Sequence, residues 1–243
     1  MRIISTIFLF VNLCLLSSFY EMQQYTMDKK KPRVIHFSGY KWVVRSTDHN
    51  QQGPGPNVFS DDKKNVWVDE QGRLHLRITK ENEVWQCAEV TLSKPVGYGK
   101  YIFYLHSDLS LLDDNVVAGM FTYLNDREEI DIEFSKWGES SNKNAQFVVQ
   151  PFEKEGNISR FDVKINNAPS WHSFEWRRNW VNFESFSLVD EHPYLLHFWK
   201  NSSADIPRDK QESLKINLWL YKGQAPKNLK EQELIIDSVK YVK

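Results

Sequence analysis

From residue 65 onward the chain alternates polar and apolar residues through segment after segment, and that period of two is its strongest constraint. Arg73-Leu74-His75-Leu76-Arg77-Ile78 shows it plainly, and Glu129-Ile130-Asp131-Ile132-Glu133-Phe134 shows it again. Successive side chains of an extended strand face opposite ways, so alternation makes one face apolar and the other wet. The pattern predicts strands over 65–69, 73–78, 84–92, 100–106, 116–123 and 129–134, then over 145–150, 160–165, 173–176, 180–188, 215–221 and 234–242. Turn residues separate them, among them Gly53-Pro54-Gly55-Pro56, Gly97-Tyr98-Gly99, Asn125-Asp126 and Asn166-Asn167. Only 204–214 carries spacing that suits a short helix. Many short strands joined by polar turns predict an all-β antiparallel sandwich.

The N-terminus reads differently. Met1-Arg2 precede an apolar run from Ile3 to Phe19 closed by small residues, the form of a secretory signal peptide over residues 1–22. An uncleaved membrane anchor is the rival reading, though no basic stop-transfer cluster follows at once. A lipid anchor at Cys14 is another, but Val11-Asn12-Leu13 is a poor match to the box such an anchor needs. A polar, Lys-rich lead-in over 23–32 follows, and 33–243 is expected to be one domain. Export to the exterior or the cell envelope is the expectation, with no membrane span once the leader is removed. Cys87 is the only cysteine beyond the leader. The domain therefore has no internal disulfide and is held by its core, with Cys87 as a small buried apolar residue. A net charge of −1 gives no basic surface for nucleic acid.

The chemistry sits in Glu129-Ile130-Asp131-Ile132-Glu133-Phe134. Alternation puts Glu129, Asp131 and Glu133 on one face and the three apolar residues on the other. A wet strand face is the ordinary explanation of such a pattern. Three like charges with no base among them repel, however, and glycoside hydrolysis supplies a use for them. It needs two carboxyl groups about the scissile bond, one protonated and one ionised, and a third acid between them raises the proton affinity of its neighbours. Residues four apart on a strand are roughly 13 Å apart at Cα, a gap that leaning side chains narrow. Spacing alone allows either a retaining or an inverting separation.

Glu-Ile-Asp-Ile-Glu-Phe resembles the signature of glycoside hydrolase family 16, the licheninases and laminarinases. The resemblance runs in order through Cys87-Ala88-Glu89, Gly97-Tyr98-Gly99-Lys100-Tyr101, Phe121-Thr122-Tyr123, Trp171-His172-Ser173-Phe174-Glu175-Trp176, Asn217-Leu218-Trp219 and Asp237-Ser238-Val239-Lys240-Tyr241. It implies a β-jelly roll of two curved antiparallel sheets with a concave carbohydrate-binding cleft. Glu129 would be the nucleophile, Asp131 its modulating neighbour and Glu133 the general acid/base of a retaining endo-β-glucanase. Asn57, Glu89, Asn217 and Trp219 would line subsites. No cofactor is required, although a structural calcium held by Asp237 is implied. A polysaccharide, β-1,3- or β-1,3-1,4-glucan, is the expected partner of a monomer. Three departures change the walls of the cleft: Thr91 replaces an Arg, Arg127 a Trp, and Val148 with Gln150 an Asn and a Tyr.

Alternation places further candidates beside these. Asn217 and Trp219 share a face, as a sugar platform would require, and Trp85 shares one with Glu89. Gln146 and Gln150 share a face open to sugar contact. Trp137 fits a cleft wall or a turn anchor equally, His172 reads as a structural histidine, and Glu128 points away from the acids. A catalytically silent carbohydrate-binding protein and a transglycosylase are the rival functions on the same scaffold.

Overall fold

A computed structural model describes residues 31–243. The predicted leader, Cys14 and the lead-in as far as residue 30 lie outside the described residues. Arg33–Lys243 forms one unit built almost wholly of strands. β1 (Val34–Phe37) and β2 (Tyr40–Val44) make a hairpin whose turn residues, Ser38 and Gly39, both take positive φ, as a two-residue hairpin turn demands. Then come β3 (Val58–Phe59), β4 (Val66–Val68), β5 (Leu74–Glu81), β6 (Val84–Leu92) and β7 (Gly99–Leu105). β8 (Val116–Asn125), β9 (Glu128–Phe134), β10 (Ala145–Val149) and β11 (Ile158–Phe161) carry the chain through its middle. β12 (Ser170–Arg177), β13 (Trp180–Val189), β14 (His192–Asn201), β15 (Ser213–Leu220) and β16 (Gln232–Val242) complete it.

The ladder runs β11-β10-β9-β8-β15-β6-β5-β16-β7-β12-β13-β14, antiparallel throughout. Its first six strands form one sheet and the rest form the other, with the β5–β6 hairpin passing between them. Apolar side chains meet in the middle. Behind β9, Phe134 lies edge-on to His172 of β12 at 4.6 Å, and Phe147 of β10 stacks on Phe183 of β13 at 4.9 Å. Ile130, Ile132 and Phe134 are fully buried there. Each such side chain stabilises the fold by about 1.5–3 kcal/mol on transfer from water, so β9 is fixed by its apolar face while its acids face outward. This is the sandwich that the period of two predicts.

Three local expectations need correction. Residues 204–214 form no helix but an extended link into β15. Pro207 is the reason, since it disfavours helical backbone in Ile206 before it, and its carbonyl accepts from Trp176 Nε1 at 3.0 Å. The strand predicted over 160–165 ends at Phe161, because Asn144 exchanges two hydrogen bonds with the Val163 backbone in place of a strand partner. β14 and β1 to β3 are strands without a prediction. In β14 the apolar residues run together (Tyr194, Leu195 and Leu196), which hides the period.

Candidate active site

Strand register converts the sequence into rows of side chains across the outer face of the first sheet. Glu133 stands beside Gly119 of β8 on one side and Gln146 of β10 on the other; Asn217 and Glu89 extend the row in one direction and Arg160 in the other. Asp131 lies between Phe121 and Val148, with Lys215 and Thr91 beyond Phe121. Glu129 lies beside Tyr123. Glu129, Asp131 and Glu133 therefore line one groove, as their alternation requires.

The groove has two lobes that meet at the acids. One, of about 450 Å³, is walled by Arg45, Glu89, Phe121, Tyr123, Lys215 and Asn217. The other, of about 650 Å³, is walled by Trp137, Gln146, Val148, Gln150, Arg160 and Tyr221. Pro54, Trp219 and all three acids belong to both lobes. A polymer lying along this groove would pass over the carboxyl groups with residues bound on either side.

Burial is the largest influence on each acid and raises the proton affinity of all three, with Glu129 pushed up from an ordinary 4.5 to about 7. Charge repulsion from Glu133 adds to the rise at Glu129, and repulsion from both glutamates adds to that at Asp131. Asp131 acts on Glu129 in the opposite sense to the one expected. The hydrogen bond between the two carboxyls lowers the proton affinity of Glu129 and raises that of Asp131. Val148 contributes to the desolvation, since it is buried directly opposite Asp131. Gln146 Nε2 donates to Glu133 Oε2 at 2.6 Å, and Gln150 Nε2 donates to Asp131 Oδ2 at 3.3 Å. All three carboxyls therefore hold their protons to higher pH than exposed carboxyls do.

The remaining candidates divide. Asn217 and Trp219 reach the groove, and Asn217 Oδ1 is buried with no hydrogen-bond partner among the described residues. A buried carbonyl oxygen of that kind is available to accept a hydrogen bond from a group bound in the groove. Gln146 and Gln150 reach the groove too, but each donates to an acid. Trp137 is both wall and turn anchor: it holds φ at 47°, its N–H donates to Ser135 Oγ at 2.8 Å, and the Arg160 guanidinium lies 5.0 Å from its ring centre. Glu89 lines the groove only at its floor, where Arg45 (3.0 Å), Lys215 (3.4 Å) and Asn217 (3.4 Å) occupy its oxygens.

Two expected subsite residues lie elsewhere. Asn57 is a buried clamp whose amide donates to Pro54 O and Leu220 O, both at 2.8 Å, and it thereby seats Pro54 in the groove. Trp85 packs on the core where β6 has left the first sheet to pair with β5. His172 is fully buried between the sheets, bonded to Ser185 and Ser170, and burial holds its pKa down to about 3. Glu128 pairs with Lys210 away from the acids. Asp237 faces the His106 imidazole at 3.5 Å, and among the described residues no three His, Cys, Asp or Glu side chains gather as a metal site. One carboxylate beside an imidazole does not fit calcium, which takes 6–8 oxygen ligands.

Sequence reasoning missed Arg45, Lys215, Tyr123 and Arg160. Lys215 was within reach of the alternation rule, standing two residues before Asn217 on the same face. Arg45 was not, because it follows a strand that the pattern did not predict. Arg45 and Lys215 supply the cationic contacts to Glu89 on the wall where Thr91 stands in place of an arginine.

The likeness to solved structures of β-glucanases and a laminarinase shows a fold like that of the family 16 glycoside hydrolases. No family model and no curated protein matches the chain. The Bacillus licheniformis β-glucanase superposes with a TM-score of 0.62 at 18% identity, over 88% of this chain and 100% of that one. A β-1,3-1,4-glucanase (lichenase) from a mouse hindgut metagenome superposes with a TM-score of 0.60 at 20% identity, over 85% of this chain and 95% of that one. The laminarinase of Flavobacterium sp. UMI-01 gives 0.61 at 14% identity, over 83% and 93%.

Proposed function

We propose that this chain is a secreted, retaining, endo-acting β-glycan hydrolase, with β-1,3- or β-1,3-1,4-glucan as its substrate. The observation that carries the reading is the position of Glu129, Asp131 and Glu133 at the junction of two open lobes. Cleavage inside a polymer needs sugar bound on both sides of the scissile bond, and a groove open at both lobes provides for that. Support also comes from the glucanases and laminarinase that share the fold.

Glu129 attacks the anomeric carbon while Glu133 gives its proton to the departing glycosidic oxygen. The bond to the leaving sugar breaks and a glycosyl ester of Glu129 forms. Glu133, now ionised, takes a proton from water, whose oxygen displaces Glu129 and completes a second inversion at the same carbon. Asp131, by donating to Glu129, stabilises the charge on the attacking oxygen, and does so again as that charge returns to Glu129 when the ester breaks. Trp219 stacks a sugar ring and Asn217 Oδ1 accepts from a hydroxyl.

The test is a panel of β-glycans offered to the purified full chain, with reducing ends measured for wild type, Glu129→Gln and Glu133→Gln. The reading expects release from a β-glucan by wild type and at least a thousand-fold less by either variant, about 4 kcal/mol of lost transition-state stabilisation. Release undiminished in the variants, or absent from every β-glycan with wild type, refutes it.

A further inference from the structure

Arg160 sits exposed on the edge strand β11, with only Gln146 between it and Glu133 along the row that register builds. Its Nε–H donates to Gln146 Oε1 at 3.0 Å, while the other end of the same amide, Nε2, donates to Glu133 Oε2 at 2.6 Å. The direction of this chain is forced by chemistry. A guanidinium only donates, so the amide beside it must turn its oxygen to Arg160, which leaves its NH₂ to donate to Glu133 Oε2. β11-β10-β9 pairing keeps the three in line, Arg160 opposite Gln146 and Gln146 opposite Glu133. Glu133 Oε1 makes no hydrogen bond among the described residues, and Glu133 lines both lobes of the groove.

We propose that Arg160 is a positioning residue that acts through Gln146 to keep Glu133 Oε2 an acceptor, so that the proton of Glu133 resides on Oε1, toward the groove. The role rests on the reading of Glu133 as the proton donor. With Oε2 held by an NH₂ donor, a proton on that oxygen would face another proton, and Oε1 is the oxygen left free to carry it. The relay also opposes burial. Burial raises the proton affinity of Glu133, whereas the Gln146 donor and the Arg160 charge lower it. The other groups around Glu133 are Asp131 and Glu129 on its own strand, Gly119 on β8 with no side chain, Asn217 and Lys215 on β15, and Glu139 and Lys222 on the wall of the second lobe. None of these reaches Gln146, so the relay belongs to Arg160 alone. The family-like motif ends at Phe134, and nothing in it points to an arginine 26 residues later; only the strand pairing brings the two together.

The experiment is an NMR titration of the full chain labelled with ¹³C at glutamate carboxyls, the Glu133 signal being assigned by its loss in Glu133→Gln. Arg160→Met is expected to raise the Glu133 titration midpoint by roughly 0.5–1 pH unit, less than the 1–3 units of a cation in direct contact. The basic limb of kcat/KM moves up by the same amount, because Glu133 must be protonated to act. KM stays within two-fold, kcat falls, and Arg160→Lys, which keeps the charge and a donor, returns most of the midpoint. An unmoved Glu133 midpoint in Arg160→Met overturns the proposal. So does a rise in KM alone with the basic limb in place, which makes Arg160 a direct glycan contact. If wild type cleaves no β-glycan, the proposed activity fails, while the titration still decides the relay.

Discussion

Replacing Glu129 by Gln should make the protein inactive and, above neutral pH, more stable. In the folded chain burial lifts the Glu129 carboxyl from 4.5 to about 7. Between those values the native state holds a proton that the unfolded chain has released, so stability falls as pH rises. At about 1.4 kcal/mol per pH unit the full effect is about 3 kcal/mol, complete above pH 7 and absent below 4.5. Gln has nearly the same shape and no charge to desolvate. The stability gap between Glu129→Gln and wild type should therefore open from near zero at pH 4 to about 3 kcal/mol at pH 8. For a domain of this size that is a rise in Tm of roughly 6–12 °C, at about 2–4 °C per kcal/mol. Urea or thermal unfolding followed by tryptophan fluorescence at pH 4, 6 and 8 measures it. A gap that stays constant across that range would mean that Glu129 is not strained by burial in the groove, and the electrostatic account of the acids would fall with it.

Three further outcomes follow from particular contacts. Trp219→Ala should lower kcat/KM at least ten-fold, about 1.4 kcal/mol, chiefly through KM, with the far-UV spectrum unchanged. In Gly119→Ala the new Cβ would lie 2.5 Å from Asn217 Oδ1; since the tip of a side chain can move, the fold should survive with a Tm within about 4 °C of wild type, while kcat/KM falls with the displaced amide. His172, held neutral with its pKa down at about 3, makes the native state resist a proton that the unfolded chain accepts below about 6.5. The His172 contribution to stability should thus be lost as pH falls from 6.5 towards 3, so that His172→Gln, although less stable than wild type at pH 7, should close that gap in urea unfolding at pH 5 and 4.

The face of β9 that meets the core and the face that carries acids were legible because a period of two leaves no other assignment for Ile130, Ile132 and Phe134. Asn217 and Trp219 were legible for the same reason. The rest depended on which strand lies next to which, and a single sequence does not carry that. Trp85 shares a strand face with Glu89, yet β6 changes partners between them, from β5 to β15, so a shared face did not mean a shared groove. Asn57 carries an amide suited to a hydroxyl, but two backbone carbonyls claim it first. Gln146 and Gln150 were rightly placed on the outer face, but their role became visible only when register set each beside an acid. Arg45 follows β2, a strand that the pattern did not predict, and Arg160 opens a predicted strand whose neighbour β10 only the structure reveals.

The stereochemistry of cleavage tests the central claim most directly. Proton NMR of the anomeric region, recorded in the first minutes after the full chain is added to the β-glycan it cleaves, reads the configuration of the new reducing end before it equilibrates. Attack by Glu129 with proton transfer by Glu133 predicts the β-anomer first, with the α-anomer growing in later by mutarotation. The α-anomer appearing first would contradict a glycosyl ester on Glu129 and the roles assigned to the three acids.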